Sequence, residues 1–282
     1  MKHRVLSLGA GVQSTTLYLM AIDGEIPTFD LCVFADTQAE PAAVMNHLKW
    51  LQSLNGPQIV ITTAGSLTEA IDLRQDDGSP LPGQSGRNVL IPGFSLDETT
   101  GKRGMIPRQC TRDFKIRPIE RALKQHLFGL ESRQHFPRNH RIEQVLGLSY
   151  DEPKRVIRVR QRFAEKGERH TVDLPLWDLE LTRADCIKYL KGRVPHQTPR
   201  SACVYCPYKS DAEWRDLKEN HPEDWATAVE FDRQFRNAGR PNCKRYLHSS
   251  CQPLEFVDLT KAAPNGADRS QFINECEGMC GN

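Results

Sequence analysis

Three cysteines occupy positions where a thiol can do chemistry. Cys110 lies in the cation-rich residues 108–118, and Cys203 and Cys206 form a Cys-x-x-Cys pair followed by Pro207. Neighbouring cations lower the pKa of a thiol and favour the thiolate, the form that binds metals and attacks electrophiles. Taken alone, residues 108–118 also fit a solvated helix start with one buried cysteine. The Cys-x-x-Cys pair puts two sulfurs on one centre and predicts a metal or redox site.

The Cys-x-x-Cys pair has two interpretations from spacing alone. One is a structural zinc site completed by two residues of the set Cys243, His248, Cys251, Cys276 and Cys280. The other is a thioredoxin-like redox pair, which is disfavoured because no suitable βαβ unit surrounds it. Cys32 and Cys186 sit in apolar segments, and we expect both to be core residues.

A second chemical feature is the loop Leu-Gly-Ala-Gly-Val-Gln-Ser-Thr at residues 8–15. Its glycines let the backbone approach an anion, and the positive end of the following helix favours phosphate. The hydroxyls of Ser14 and Thr15 add donors. The loop has no Gly-Lys-Ser/Thr and no third glycine, so it is neither a Walker A loop nor a dinucleotide fingerprint. Any tight strand-to-helix turn also uses such glycines.

The elements around this loop predict an α/β fold. Apolar strand segments at residues 3–8, 30–34 and 58–62 alternate with helical periodicity at 14–22 and 41–54. Strands separated by helices of this length form βαβ units. We therefore predict a doubly wound parallel sheet.

Later segments of the chain are less regular. The sequence predicts a long glycine- and proline-rich loop at 74–107. A loop of this length is either a functional lid or partly disordered. The sequence then predicts helices at 113–127 and at 181–190 with Thr182 as cap, and a strand at 144–148. A further helical region begins at Ser210, where Ser-Asp-Ala-Glu fits a capping box, resumes at Pro222 and stops at Gly239. The boundaries expected are an α/β domain at 1–190 and a smaller Cys-bearing helical part at 191–282.

The composition is that of an ordinary globular protein. The 282 residues include 38 Lys+Arg and 36 Asp+Glu, a net charge of +2, which excludes a histone-like basic binder. No apolar run reaches the roughly 18 residues of a membrane helix, and the first residues leave no room for a signal peptide. The nine cysteines are an odd number, which favours reduced thiols. We expect a cytoplasmic protein with no membrane partner.

Residues 9–14 resemble the Ser-Gly-Gly-x-Asp-Ser loop of the PP-loop, or adenine nucleotide alpha-hydrolase-like (HUP-like), superfamily, with Gly9, Ala10 and Gln13 as departures. Gln13 and the segment Asp36-Thr37-Gln38 are similar to the phosphoadenosine phosphosulfate (PAPS) reductase branch. Gly147-Leu148-Ser149 with Arg155 resembles its sulfonucleotide segment, although Ser149 replaces an arginine. The resemblance implies that an adenine nucleotide is bound by Ser7, Gly9, Ala10, Gly11, Gln13, Ser14, Thr15, Asp36, Thr37, Arg117, Gly147 and Arg155.

The cysteine segment resembles the Cys-Cys-x-x-x-Lys-x-x-Pro motif of iron–sulfur assimilatory reductases. Cys110, Lys115 and Pro118 match it, and Thr111 replaces the second cysteine. The resemblance implies a 4Fe–4S cluster held by Cys110, Cys203 and Cys206. Three protein thiolates leave one iron open to an external sulfide or a substrate atom, as in PP-loop enzymes that thiolate transfer RNA. Thr111 therefore favours sulfur transfer, unless the C-terminal tail supplies a fourth ligand.

The chain ends in a segment with two more thiols. Glu275-Cys276 is similar to the Glu-Cys-Gly-x-His terminus of PAPS reductases, but Glu277 interrupts the match and no histidine follows. The resemblance implies that Cys276 or Cys280 is a nucleophile or persulfide carrier. The alternative is an inert, frayed end.

The resemblance extends over most of the chain and is to the type of PAPS reductase-like protein often encoded by phages and DNA-modification loci. It implies an enzyme that uses ATP to adenylate and thiolate a nucleic acid, with Mg²⁺ bound to the phosphates. Lys115, Arg117 and Arg155 would neutralise the negative charge that develops on phosphate or sulfonate. Ten Lys/Arg against five Asp/Glu in residues 133–170 favour a nucleic-acid partner. A cysteine desulfurase or thioredoxin-type protein would supply sulfur or electrons. The alternatives are a PAPS or adenosine phosphosulfate (APS) reductase that releases sulfite, and a zinc-stabilised nucleic-acid-binding module.

Overall fold

The computed structural model describes residues 2–75, 77, 79, 81–83, 89–131, 133–238 and 242–260. Its centre is a five-stranded, all-parallel sheet with strand order β3-β2-β1-β6-β7. The strands are β1 (Lys2–Ser7), β2 (Leu31–Asp36), β3 (Ile59–Thr63), β6 (Arg141–Val145) and β7 (His170–Asp173). The predicted α/β class with a parallel sheet is confirmed.

Helices cover both faces of this sheet. The helices are α1 (Val12–Ile22), α2 (Ala42–Ser53), α3 (Leu67–Ala70), α4 (Arg117–Phe128), α5 (Pro153–Glu165), α6 (Pro175–Asp178), α7 (Arg183–Leu190), α8 (Asp211–Asn220) and α9 (Pro222–Arg236).

The alternation of side chains along the strands separates two buried clusters. Leu6 and Phe34 pack with α1, α2 and α7 on one face. Their strand neighbours Val5 and Val33 pack with α4 on the other face. Successive side chains of a strand point to opposite faces, so a strand buried on both sides needs the continuous apolar runs seen in the sequence.

A small antiparallel sheet accompanies the large one. β4 (Gly93–Asp97) pairs with β5 (Arg103–Ile106) and with β8 (Cys243–Tyr246). The prediction of a loop throughout 74–107 was therefore wrong for this hairpin, and the C-terminal part is not purely helical. These strands are short and mostly half-exposed, so they lack the alternating apolar pattern that identifies a strand in sequence.

A further core lies beneath this antiparallel sheet. It contains Leu67 and Ile91 from the first half of the chain together with Trp214 and Phe231 from α8 and α9. Tyr205, in the Cys-x-x-Cys turn, stacks on Phe231 with ring centroids 3.7 Å apart. This core draws on both sides of the predicted boundary at residue 190.

Local signals fixed several helix starts. Thr182 and Ser210 each form the expected capping box, with Asp185 and Glu213 respectively. The predicted helix at 113–127 is a π-helical turn (Arg112–Ile116) that continues into α4. In the described part of the chain, no helix combines the length and apolar character that a bilayer crossing requires.

Candidate functional site

The sheet reverses its strand order between β1 and β6, because β2 and β3 lie on one side of β1 and β6 and β7 on the other. In open α/β sheets, ligands bind at the carboxyl ends of the strands beside such a reversal. Ser7 ends β1, and Gly147 follows β6 by two residues. The predicted phosphate loop and the predicted sulfonucleotide segment therefore lie at this edge.

The phosphate loop is compact and ordered by its own hydrogen bonds. The backbone N–H groups of Gly9 and Gly11 both donate to Ser14 Oγ, at 3.2 and 3.3 Å. Ala10 between them is buried and has a φ of 55°, a left-handed conformation that normally favours glycine. Gly11 precedes α1 without a side-chain cap, and the first turn holds no acidic residue. The positive end of α1 is thus suited to an anion.

Ser7 adds a donor next to this loop. Its side chain is buried, and its Oγ has no hydrogen-bond partner among the described residues. A buried hydroxyl without a partner is costly, and a polar ligand at the loop would satisfy it. At the end of β2, Asp36 Oδ1 accepts a hydrogen bond from the backbone of Gln38 at 2.7 Å, which shapes the predicted nucleotide segment.

Gln13 links the phosphate loop to the predicted sulfonucleotide segment. Its Nε2 donates to Ser149 Oγ at 3.3 Å and to Glu152 Oε2 at 3.2 Å. Its Oε1 accepts from Arg183 at 2.6 Å. Glu152 also forms an ion pair with Arg155. The structure therefore brings Gln13, Ser149 and Arg155 together, as the resemblance implied, and adds an acid and an arginine.

The three candidate metal ligands line one small, largely apolar cavity. Cys110, Cys203 and Cys206 share it with Thr37, Lys115 and Tyr208. Thr37 Oγ1 lies 3.5 Å from Cys203 Sγ. The predicted nucleotide segment and the predicted thiol site are thus in direct contact.

A buried ion pair lies beside these thiols. Lys115 Nζ is 3.6 Å from Glu40 Oε1, and the two side chains are only 6% and 1% exposed. Glu40 Oε1 also accepts from Thr37 Oγ1 at 3.0 Å, whereas Oε2 has no hydrogen-bond partner among the described residues. The cavity therefore has an acid with acceptor capacity to spare and a cation next to its sulfur atoms.

Burial dominates the electrostatics of the thiols. It raises the pKa of Cys203 well above its ordinary value, and the Glu40 carboxylate acts in the same direction while Lys115 opposes both. A thiol in this environment stays protonated and neutral. It becomes a thiolate only where a neighbouring cation or a bound metal stabilises the negative charge.

Three thiols are the donor set that the cavity offers to a metal centre. Within the ranges described above, no three His, Cys, Asp or Glu side chains converge closely enough to hold one metal ion. Three cysteines around one apolar cavity are the ligand type of iron–sulfur clusters, whose irons are spread over a larger volume. In this respect the residues fit the cluster that the resemblance implies.

Several predicted site residues lie elsewhere or outside the described residues. Arg117 is 57% exposed, pairs with Asp113 at 2.8 Å and lines a different cavity on the outer side of α4. Cys243 belongs to β8, paired with Asp97, apart from the thiol cavity. Cys276 and Cys280 lie outside the described residues, whereas Cys32 and Cys186 are fully buried core residues, as predicted.

A series of hydrogen-bonded polar side chains extends from the phosphate loop to two histidines. Thr15 Oγ1 lies 2.8 Å from His47 Nε2, and His47 Nδ1 lies 2.8 Å from His196 Nε2. Burial lowers the pKa of His47 to about 4, and His196 acts in the same direction. His47 is therefore neutral at pH 7, and the Thr15 hydroxyl is engaged with it.

Sequence reasoning missed five of these residues, one of which is Glu152, three positions after Ser149. Glu40 lies only four positions after Asp36, and an acid so close to the nucleotide segment was the signal that could have found it. Arg183, His47 and His196 reach the site only through tertiary packing, and no local pattern marks them.

Comparisons with protein-family models, with curated proteins and with solved structures found no match for this chain.

Replacing one partner of the buried Lys115–Glu40 pair should destabilise the protein more than replacing both. Glu40→Gln removes the carboxylate that pairs with the buried ammonium of Lys115, for which we expect a loss of about 3 kcal/mol in the free energy of unfolding. The double variant Glu40→Gln/Lys115→Met should recover most of that loss. Urea denaturation of the wild type, both single variants and the double variant measures the coupling. Additive losses would contradict the ion pair.

His47 should make stability fall in acid. The unfolded chain binds a proton on this histidine near pH 6.5, whereas the folded chain binds it only near pH 4. The free energy of unfolding should therefore rise by about 3 kcal/mol on account of His47 as pH increases from 4 to 6.5. His47→Gln should flatten this slope in urea titrations, and His126→Gln, at an exposed position on α4, should not. Equal slopes in both variants would show that His47 titrates normally.

Proposed function

We propose that this protein is an adenine-nucleotide-dependent enzyme of sulfur chemistry, which adenylates a nucleic-acid oxygen and replaces it with sulfur. The single observation that supports it best is the contact between Thr37 and Cys203. Thr37 belongs to the segment that resembles a nucleotide site, and Cys203 belongs to the thiol cavity. An activated oxygen and a sulfur source need such proximity, because the two must react before water does.

The proposed reaction balances in two steps. The acceptor oxygen attacks the α-phosphorus of ATP, and pyrophosphate leaves. Sulfide then attacks the activated centre, forms the new bond to sulfur and expels AMP with the original oxygen. No electrons are needed if the donor is sulfide, whereas a persulfide donor requires two electrons from a further thiol.

The chain's own residues have distinct tasks in this proposal. The loop at residues 9–15 holds the phosphates, and the unpartnered hydroxyl of Ser7 donates to them. Arg155 and Arg183 lie at the Gln13 network, where they offset negative charge that develops on the phosphates. Mg²⁺ would accompany the phosphates. Glu40, with its unpartnered oxygen, is positioned to accept a proton at the thiol cavity.

Cys110, Cys203 and Cys206 would hold a 4Fe–4S cluster. With three protein ligands, a bound cluster supplies one iron without a protein ligand, which is a site for sulfur. Lys115 would offset the negative charge of the thiolates, since it lies in the same cavity. Cys276 or Cys280 would pass sulfur from a desulfurase or thioredoxin-type partner.

Product analysis separates this enzyme from its alternatives. With ATP, we expect pyrophosphate release that increases when nucleic acid and a sulfur donor are added. With PAPS or APS, we expect no sulfite. Sulfite from PAPS or APS without pyrophosphate from ATP would establish the reductase, which Gln13 and the Glu275-Cys276 sequence favour. The absence of both products, with one zinc per chain, would establish the zinc-stabilised binding module.

Iron content tests the ligand assignment. Protein purified without oxygen should contain about four irons and matching acid-labile sulfide per chain. Cys203→Ala should remove both, because its thiol lies inside the cavity. Cys243→Ala is the matched control at a half-exposed cysteine outside the cavity and should keep them.

The tail cysteines are tested in the same preparation. Cys276→Ala and Cys280→Ala should keep iron and lose turnover if they carry sulfur. Loss of iron from either would make that cysteine the fourth ligand, and full iron in Cys203→Ala would refute the cluster at this cavity.

A further inference from the structure

A long cleft follows the outer side of α4, on the sheet face opposite α1 and α2. Its volume is about 900 Å³, and it is lined by Arg117, Arg121, Lys124, Lys166 and His170, among others. A second cavity, lined by Arg138, Arg141 and Arg169, shares Lys166 and His170 with the first. We refer to these two adjoining cavities as the basic cleft.

The basic cleft concentrates positive charge in a chain that is almost neutral. Its lining contains seven Lys or Arg and three Asp or Glu residues, the acids being Asp113, Glu120 and Glu168. The local excess of four exceeds the net charge of +2 of the whole chain. The remainder of the protein is therefore net negative, and an anionic partner is directed toward this one surface.

Part of this charge is available to a ligand, whereas the cations of Arg117 and Lys166 are paired with acids of the cleft. Arg138 and Arg169 are exposed, and neither has an ion-pair partner among the described residues. Arg141 is only loosely paired, since its Nη1 lies 3.9 Å from Glu168 Oε2. Folding alone does not account for so many like charges along one groove, because they repel one another.

The charges of the basic cleft also act on the pKa of His170. His140 Nε2 and His170 Nε2 lie 2.9 Å apart. Burial lowers the pKa of His170 to about 4, and the charges of Lys166 and Arg169 contribute. The His170 imidazole is therefore neutral at pH 7, and the arginines and lysines carry the positive charge of the cleft.

Of the two phenylalanines that line the cleft, Phe114 is buried and Phe136 already contacts other side chains. Phe136 stacks on His140 with ring centroids 4.7 Å apart, and the Lys124 ammonium lies 5.4 Å from its centroid. It has no free face for stacking on a base. Contacts from this surface would go to phosphates, which carry no sequence information.

One short helical segment contributes to both the basic cleft and the thiol cavity. Asp113 and Phe114, which line the cleft, belong to the same π-helical turn as Lys115, which lines the cavity. A polyanion at Asp113 would therefore lie within one helical turn of Cys110 along the chain.

We propose that the basic cleft binds the phosphate backbone of a nucleic acid, independently of base sequence, and leads it to the thiol cavity. The biological role of this binding rests on the proposed function. The evidence for the binding itself is the charge and geometry of the cleft.

The test is the salt dependence of binding to a fluorescein-labelled DNA duplex of about 20 base pairs, measured by anisotropy with the full chain. The variant Arg138→Gln/Arg169→Gln removes two exposed charges. If both contact phosphates, the slope of log affinity against log salt should fall by about 1.8. With the affinity at 1 M salt unchanged, the affinity near 0.1 M salt should weaken roughly 60-fold. The matched control Lys49→Gln/Lys188→Gln removes two exposed charges from α2 and α7, on the opposite sheet face, and should bind like the wild type.

Three results would overturn the proposal. They are equal slopes for the cleft variant and the wild type, no binding of duplex or single strand by the wild type at low salt, and displacement of the DNA by inorganic phosphate at matched ionic strength. The last would identify a small-anion site instead. Thermal unfolding confirms that each variant is folded.

Pyrophosphate release, measured separately, distinguishes this proposal from the proposed function. ATP turnover without DNA binding would overturn the basic cleft alone. DNA binding through the cleft with neither pyrophosphate nor sulfite formed would overturn the proposed enzyme alone.

Discussion

The buried ion pair between Lys115 and Glu40 holds the two parts of the candidate site in a fixed relation. Lys115 comes from the π-helical turn that continues into α4, and Glu40 comes from the loop after β2. Through Thr37, the same carboxylate reaches the contact with Cys203. An unpaired charge in such a place costs several kcal/mol, so neither the loop nor the turn can shift without the other. The thiol cavity is therefore coupled to the nucleotide segment by electrostatics as well as by packing.

Three consecutive residues of the π-helical turn lie in three different environments. Phe114, Lys115 and Ile116 are consecutive and all buried. Phe114 packs in the core beneath the antiparallel sheet, Lys115 enters the thiol cavity, and Ile116 packs against α5. Consecutive residues of a helix point in different directions, so a segment with three buried neighbours must lie between separate packing units. π-Helical turns occur frequently at functional sites, and this one joins the cores from which the site is built.

The sequence predicted what local rules determine. The apolar runs of β1 and β2 and the caps at Thr182 and Ser210 are short-range features, and the structure has them where the sequence placed them. The hairpin β4–β5 was missed because its stability comes from pairing with β8, far away in the chain. For the same reason Arg183 could not be assigned, since its contact with Gln13 exists only after the sheet and α7 have assembled. The proximity of Gln13 and Ser149 was implied only by resemblance.

The basic cleft extends along α4 from the starts of β6 and β7 to the π-helical turn. The π-helical turn that continues into α4 lines both sites, because Lys115 faces the thiol cavity while Asp113 and Phe114 line the basic cleft. A parallel sheet places loops of different strands at one edge, but it does not by itself give that edge a path for a long substrate. Here the outer surface of α4 and the start of β7 supply such a path, and their cations are spaced along a groove. A small sulfonucleotide would need only the Gln13 network and the phosphate loop. The basic cleft, whose cations are spread over two adjoining cavities, is the feature on which the proposed nucleic-acid acceptor rests.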